Sequence, residues 1–455
     1  MIRTLLAALL TASAAPALSQ AVTVERLRDE ALQDEIAWDI TESLTTEIGP
    51  RLAGTEAEAR ARAWAVAKLR SLGFANVRIE TFDLPVWVRG EEKARVTAPF
   101  PQPLIVAALG GSGATPAGGI EQVVVLFDSV EALTAAPAES VRGKIVFIDH
   151  AMVRTQDGSS YGAFIGPRAI GPTVASKKGA AALVIRSIGT DHHRNAHTGL
   201  MRFTDGATPI PVGALSLPDA EQLVRIAKRG KPVRMRLLLT PRQTGVHQSG
   251  NVIADVPGRD PNAAPILVSC HLDSWDLGTG AVDDAAGCGI VTAAAKRVMA
   301  AGKPLRPIRI VWFGAEEVGL QGGYDYRARH GKSPHYAIAE SDFGAGRIWK
   351  VDSKFGKERE AEAKALQVAL KPLGIVPGAL DSADGSDIGP MIADGVPAVG
   401  LNQDGTEYFD VHHTADDTLD KVDPEALRQN VAAWTTMIAV LSGGIEPEPK
   451  RPLRR

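Results

Sequence analysis

The run 271-HLDSWDLGTGAVDDAAG-287 places one histidine and four aspartates within fourteen residues, directly after the apolar run 265-PILVSC-270. Imidazole nitrogen and hard carboxylate oxygen together suit zinc, with cobalt or manganese as substitutes. Acids recur in the same kind of position further on. Glu316 and Glu317 follow 307-PIRIVWFG-314, Asp342 follows 336-YAIAES-341, and 412-HHTADDT-418 lies beyond 396-VPAVGL-401. Any one acid after a strand is ordinarily a solvated loop residue or a helix cap. In an open α/β sheet, however, ligands bind beyond the carboxyl ends of the strands. Carboxylates gathered at one such edge repel each other unless protonated or neutralised by cations. The repetition argues for a metal site.

Those residues need elements to hold them. Near-continuous apolar runs at 251–256, 265–270, 307–314, 336–341 and 396–401 read as strands. Amphipathic patterns at 285–302, 356–374 and 424–442 read as helices. Alternation of this kind predicts an α/β fold with a mainly parallel sheet covered on both faces. Upstream, residues 24–48 suggest helices. The segment 55–73 opens on a capping-box pattern, Thr55 with Glu58, and ends at Gly73. Residues 76–87 alternate like a strand.

Between about 95 and 245 the texture changes to short β-rich runs separated by Gly, Pro and Ser. The expected organisation is therefore a peptide export signal over 1–19, a first part of one domain over 20–94, a β-rich insert over 95–245, the remainder over 246–443, and a loose tail over 444–455. A chain of 455 residues has length for two or more folded units. The export reading rests on Arg3, the apolar stretch Leu5 to Ala15, and the small-residue site Ala17-Leu18-Ser19. It predicts a periplasmic or extracellular protein. No later segment is long and apolar enough to span a bilayer. A net charge of −3 gives no support to nucleic-acid or membrane-surface binding.

Cys270 and Cys288 are the only cysteines. They could be bridged; two buried thiols packed as small hydrophobes are the expectation.

Competing motifs fail on inspection. Gly278-Thr279-Gly280 opens like a dinucleotide loop, but Asp283 stands where the third glycine belongs. Gly331-Lys332-Ser333 lacks the earlier glycine of a phosphate loop, since position 326 is Tyr326. There is no Gly-x-Ser-x-Gly elbow. His193 and His197 have helical ligand spacing without the glutamate of a zinc-protease helix, and are expected at the surface of the insert.

Taken together, HLD at 271–273, Asp283-Asp284, 315-AEEVGLQGG-323, Asp342 and 413-HTADDT-418 resemble the M28 family of co-catalytic zinc exopeptidases. Within it, HLDSWDLGTGAVDD, AESDFG, DGSDIGP and the doubled His412-His413 resemble the carboxypeptidase Q branch. The resemblance runs from about 40 to 443, with 95–245 similar to an inserted protease-associated domain. It implies two zinc ions bridged by Asp283, one completed by His271 and Asp342, the other by Glu317 and His413. His413 rather than His412 fits the family frame; Asp283 rather than Asp284 follows from spacing, with a one-position shift left open. Three carboxylates would offset most of the charge of two zinc ions, and neutral imidazoles would finish the shells. Glu316 would be the general acid/base that activates the attacking water.

Asp273 is expected to orient His271, and Asp417 to do likewise near His413. Tyr408 is either an oxyanion donor or a packed aromatic; Ser386 and Asp387 are placed at the pocket rim. The resemblance implies a dipeptidase or carboxypeptidase acting on short peptides. An aminopeptidase is the alternative within the class, and a homodimer is implied by the branch. A non-catalytic binding protein and a cyclising acyltransferase on the same scaffold are disfavoured by the complete ligand set.

Overall fold

The computed structural model describes residues 22–446. The expected export signal lies outside them.

An eight-stranded sheet forms the larger layer. Its strands are β1 (Ala75–Val88), β2 (Arg242–Val256), β3 (Ile266–His271), β4 (Ile308–Phe313), β5 (Ala337–Glu340), β6 (Ile348–Lys354), β7 (Val376–Pro377) and β8 (Ala398–Gln403). They lie in the order β1-β2-β4-β3-β5-β8-β6-β7. The middle four, β4-β3-β5-β8, are mutually parallel, with His271 opposite Phe313 and Ser269 opposite Glu340. β1, β2 and β6 run antiparallel to their inner neighbours, so the sheet is mixed with a parallel centre. Because those four strands point the same way, the chain leaves all of them along one edge.

The central strands are buried on both faces, as their apolar runs require. Helices Ile36–Glu47, Ala286–Ala301 and Pro424–Leu441 pack into one core with Trp312 and Trp434, both fully buried. The other face carries Phe313, Tyr326, Ile388 and Met391. Among the described residues no helix is long and apolar enough to cross a membrane.

Helix Glu56–Ser71 begins as its cap predicts: Oγ1 of Thr55 accepts the N–H of Glu58 at 3.3 Å. The reciprocal half of the capping box is not made. Glu58 is fully buried and instead accepts from Ser249 Oγ at 3.0 Å and pairs with Arg62 at 2.8 Å.

The chain leaves the large sheet after Val88 and re-enters it at Arg242. Between them, residues 92–239 build a second eight-stranded sheet. Ile120–Phe127, Ile145–Ile148, Ala182–Arg186 and Val212–Leu215 pair in parallel, joined by short helical segments. At the other end, Ile445–Glu446, within the span expected to be a loose tail, pair with Lys303–Pro304 as a two-stranded ribbon; residues 447–455 lie outside the described residues.

Candidate metal centre

Each strand end at the parallel edge delivers one part of the site. β3 ends on His271 itself. The chain then loops through 272–280 into the turn Ala281–Ala285, which carries Asp283 and Asp284 joined by a cis peptide bond. After β4, Ala315 adopts a left-handed conformation (φ 62°) immediately before Glu316 and Glu317. After β5 comes Asp342. Beyond β8, the short helix Tyr408–Val411 leads into His412 and His413, the latter also left-handed (φ 61°). Left-handed backbone at non-glycine residues is costly and persists where surrounding contacts enforce it.

Asp283 sits at the centre. Its Oδ1 lies 2.9 Å from Nε2 of His271, which is also 3.2 Å from Oδ1 of Asp342. Its Oδ2 lies 3.3 Å from Nε2 of His413, which is 3.0 Å from Oε2 of Glu317. The two carboxylate oxygens thus face two separate His–acid pairs. Asp284 has a different job: its carboxylate accepts the N–H groups of His271 and Gly287, both at 3.1 Å. Glycine is required at 287, where a Cβ would meet Asp284 Oδ1 at 2.2 Å.

The ring orientations suit metal binding. Nδ1–H of His271 donates to the carbonyl of Asp273 at 2.9 Å, and Nδ1–H of His413 donates to that of Thr198 at 3.3 Å. Each Nε2 is left facing the acids, the position from which it would bind a metal in place of a proton. Donor atoms about 3.3 Å apart are what a tetrahedral zinc site with bonds of about 2.0 Å demands. Oε1 of Glu317 is buried without a hydrogen-bond partner.

Electrostatics point the same way. Burial works against the protonated form of both imidazoles, yet the acids around them win. Asp342 and its neighbours raise His271 well above the ordinary histidine range, and Glu317 with Asp283 raises His413 to about 10. Burial pushes Glu317 up to about 7. A field strong enough to hold protons on two buried rings is a field that attracts divalent cations. The donor set fits zinc.

Asp283, Glu316, Glu317, Asp342 and His413 line a cavity of about 320 Å³, and fully buried His271 meets it through Asp283 and Asp342. A neighbouring cavity of about 620 Å³ shares Asp342, Phe343 and Ser386. Burial and then the charge of Asp342 raise Glu316 well above the ordinary carboxyl range.

The family scan matches residues 251–438 to peptidase family M28. Bovine carboxypeptidase Q is 32% identical over 412 residues, covering 90% of this chain and 85% of that protein. The chain belongs to peptidase family M28. An M28 peptidase precursor from Shewanella amazonensis superposes with a TM-score of 0.89 at 46% identity, over 94% of this chain and 98% of that one. A zinc aminopeptidase from Bacillus subtilis shares the fold (TM-score 0.63, 20% identity, 90% and 97% covered). This M28 protein is accordingly a peptide hydrolase.

Several expectations need correction. Asp273 meets His271 through its backbone carbonyl. Its side-chain oxygen is 3.8 Å from Nδ1, and the carboxylate instead accepts the N–H of Glu316 at 3.0 Å and of Glu317 at 3.3 Å. Asp417 does not act on His413 through a hydrogen bond; it accepts the N–H of Val282 at 2.6 Å and of Asp283 at 3.2 Å, holding the turn of the central aspartate. Asp387 is buried and accepts the N–H of Gly323, while Ser386 does line the cavity. Tyr408 lines the cavity too, its ring packed against Phe343 and His412. His193 is exposed and pairs with Asp416, but His197 is buried. The cysteines are bridged: Cys270 in β3 joins Cys288 in the helix Ala286–Ala301.

Sequence reading missed three contributors. Arg51, fully buried, donates to the carbonyls of Leu272 (2.5 Å), Thr279 (2.6 Å) and Gly280 (2.9 Å), pinning the loop between His271 and Asp283. Tyr161 and Arg168 enter the cavity from the second unit. A lone arginine in a loop and two residues of a distant segment carry no spacing signal.

Proposed function

We propose that this protein is an exported two-zinc exopeptidase that cleaves dipeptides or short peptides. The observation that carries it is Asp283, with one oxygen toward His271 and Asp342 and the other toward His413 and Glu317. In this reading His271, Asp283 and Asp342 hold one zinc, and Asp283, Glu317 and His413 the other. Bound zinc would polarise the scissile carbonyl and make a water molecule acidic enough to attack near neutral pH.

The chain's own residues supply the rest. Glu316 faces the cavity with its N–H held by Asp273, a fixed position from which its carboxylate takes a proton from the attacking water and passes it to the leaving amine. Burial raises its pKa, and cations held by Asp342 and Glu317 would oppose part of that rise. Glu317, one residue on, is turned toward His413 instead. Tyr408 brings a hydroxyl to the cavity that burial and the charge of Asp283 keep protonated. The small cavity, at the lower end of the roughly 300–1,000 Å³ usual for ligand sites, favours short substrates.

Export is supported by the bridge between Cys270 and Cys288, which belongs to an oxidising compartment. Residues 92–239 are proposed as a protease-associated insert, and a homodimer follows from the branch resemblance.

The test is elemental analysis with hydrolysis of a dipeptide panel by the native protein and Glu316→Gln. Near two zinc per chain in both, with activity lost by about 10²–10⁴-fold in the variant, is the expected outcome. Full activity in Glu316→Gln, or one metal per chain, would sink the mechanism.

A further inference from the structure

We infer that Trp275 is a positioning residue for Glu317: one buried water joins its indole N–H to the Glu317 carboxylate and leaves a single oxygen of Glu317 for a metal. This goes beyond the exopeptidase reading above, and its metal part rests on that reading.

Trp275 is 4% exposed and Glu317 5%. Each carries a buried polar atom that no described residue meets. Nε1 of Trp275 can only donate, and Oε1 of an ionised Glu317 can only accept. A buried indole N–H ordinarily finds a partner. These two atoms are complementary and their residues line one void of about 10 Å³, yet they are not hydrogen-bonded to each other. A donor and an acceptor held apart in this way are what a bridging water serves. A void of that size has room for one water, which needs roughly two to four polar partners. Asp417 supplies the third. It lines the same void, and each of its oxygens accepts one backbone N–H, from Val282 or Asp283, and keeps a further lone pair. One water accepting from Trp275 and donating to Glu317 and Asp417 is satisfied on every side.

The donor is fixed from outside. The far edge of the indole abuts Gly110 of the second unit, where a Cβ would stand 2.1 Å from Cη2. Its centre lies 5.8 Å from that of the His413 ring. The indole is thus wedged between the second unit and a candidate metal ligand. On the metal side, Oε2 of Glu317 is 3.0 Å from Nε2 of His413. With Oε1 engaged by the water, Oε2 is the oxygen offered to a metal beside His413. One oxygen from the carboxylate suits the four-coordinate habit of zinc, and groups that orient a ligand in this way set metal affinity.

Two measurements test this. A crystal structure of the metal-free protein, at a resolution that shows ordered water, should place one water within hydrogen-bond reach of both Nε1 of Trp275 and Oε1 of Glu317. No water there, or a direct bond between the two atoms, overturns the inference. The second measurement uses Trp275→Phe, which removes the N–H and keeps an aromatic ring. Zinc-loaded native protein and variant are titrated against a chelator, and the zinc released is counted. One of the two equivalents should be held about 10–100-fold more weakly in the variant, with the other unchanged. The visible spectrum of the cobalt-loaded variant should differ from that of the native protein, a change that lost packing away from the metal does not produce. Equal weakening of both equivalents, or of neither, overturns the positioning role. A native protein that takes up no metal sinks the two-zinc reading, and the crystal structure then decides the water on its own.

Discussion

The N–H of Thr198 donates to the carbonyl of His413 at 3.0 Å, and Nδ1–H of His413 donates back to the carbonyl of Thr198 at 3.3 Å. A residue of the second unit thus fixes the ring of a candidate metal ligand in the first. One residue earlier, His197 uses both ring nitrogens in the same junction. Nδ1 lies 2.8 Å from the carbonyl of His412 and Nε2 lies 2.8 Å from Asp191. Arg89 ties the units again, to Asp276 at 2.8 Å and to Thr198 Oγ1 at 3.1 Å. The second unit is a structural part of the candidate metal centre as well as a wall of its cavity.

His197→Ala should therefore weaken zinc retention although His197 is not placed as a ligand. Residues that orient metal-bound histidines are typically worth 10–100-fold in affinity. Competition with a chelator, followed by zinc analysis, checks this. Unaltered retention would show that the turn at 412–413 holds its shape unaided.

Asp273→Asn should lower kcat by about 10–100-fold. The carboxylate accepts two consecutive N–H groups, from Glu316 and Glu317, and an amide replaces one acceptor oxygen by a donor. Either orientation of the amide sets a donor against one of those N–H groups. Steady-state kinetics at saturating zinc measure the loss; zinc content should fall less than activity if Glu316 is the residue displaced.

Cys270→Ser with Cys288→Ser should cost about 3 kcal/mol of stability, because the bridge closes a loop of 18 residues that includes His271 and Asp283. Chemical unfolding with and without reductant gives the number. A variant as stable as the parent would mean that helix and strand packing alone holds the loop.

Burial, with a smaller push from Arg309, holds His335 down at about 4, while the Tyr326 hydroxyl lies 3.1 Å from its Nε2. Its folded pKa is below its unfolded value near 6.5, so the unfolded chain binds more protons between them. Stability from this group is present above pH 6.5 and is lost as the pH falls toward 4, by about 3 kcal/mol in all. In His335→Asn that part of the pH slope should vanish. Unfolding midpoints at pH 7, 6, 5 and 4 compare the two proteins, and parallel curves would refute the assignment.

The sequence by itself determined the α/β class, the strands of the parallel centre and the family, because these follow from local periodicity and from motifs contiguous in the chain. It also placed His271, Asp283, Glu316, Glu317, Asp342 and His413 on strand ends, and parallel strands bring their ends to one edge. Tertiary structure alone decided how those side chains are aimed. Asp283 rather than Asp284 faces both histidines, since Asp284 is occupied by the N–H groups of His271 and Gly287. Asp273 and Asp417 support backbone rather than imidazole, His197 is buried in the junction, and Arg168 reaches the cavity from more than a hundred residues upstream of Asp283. Each of these depends on where a hydrogen-bond partner or a void lies in space. Residue spacing along the chain holds no record of contacts between separate units, and the fold supplies them.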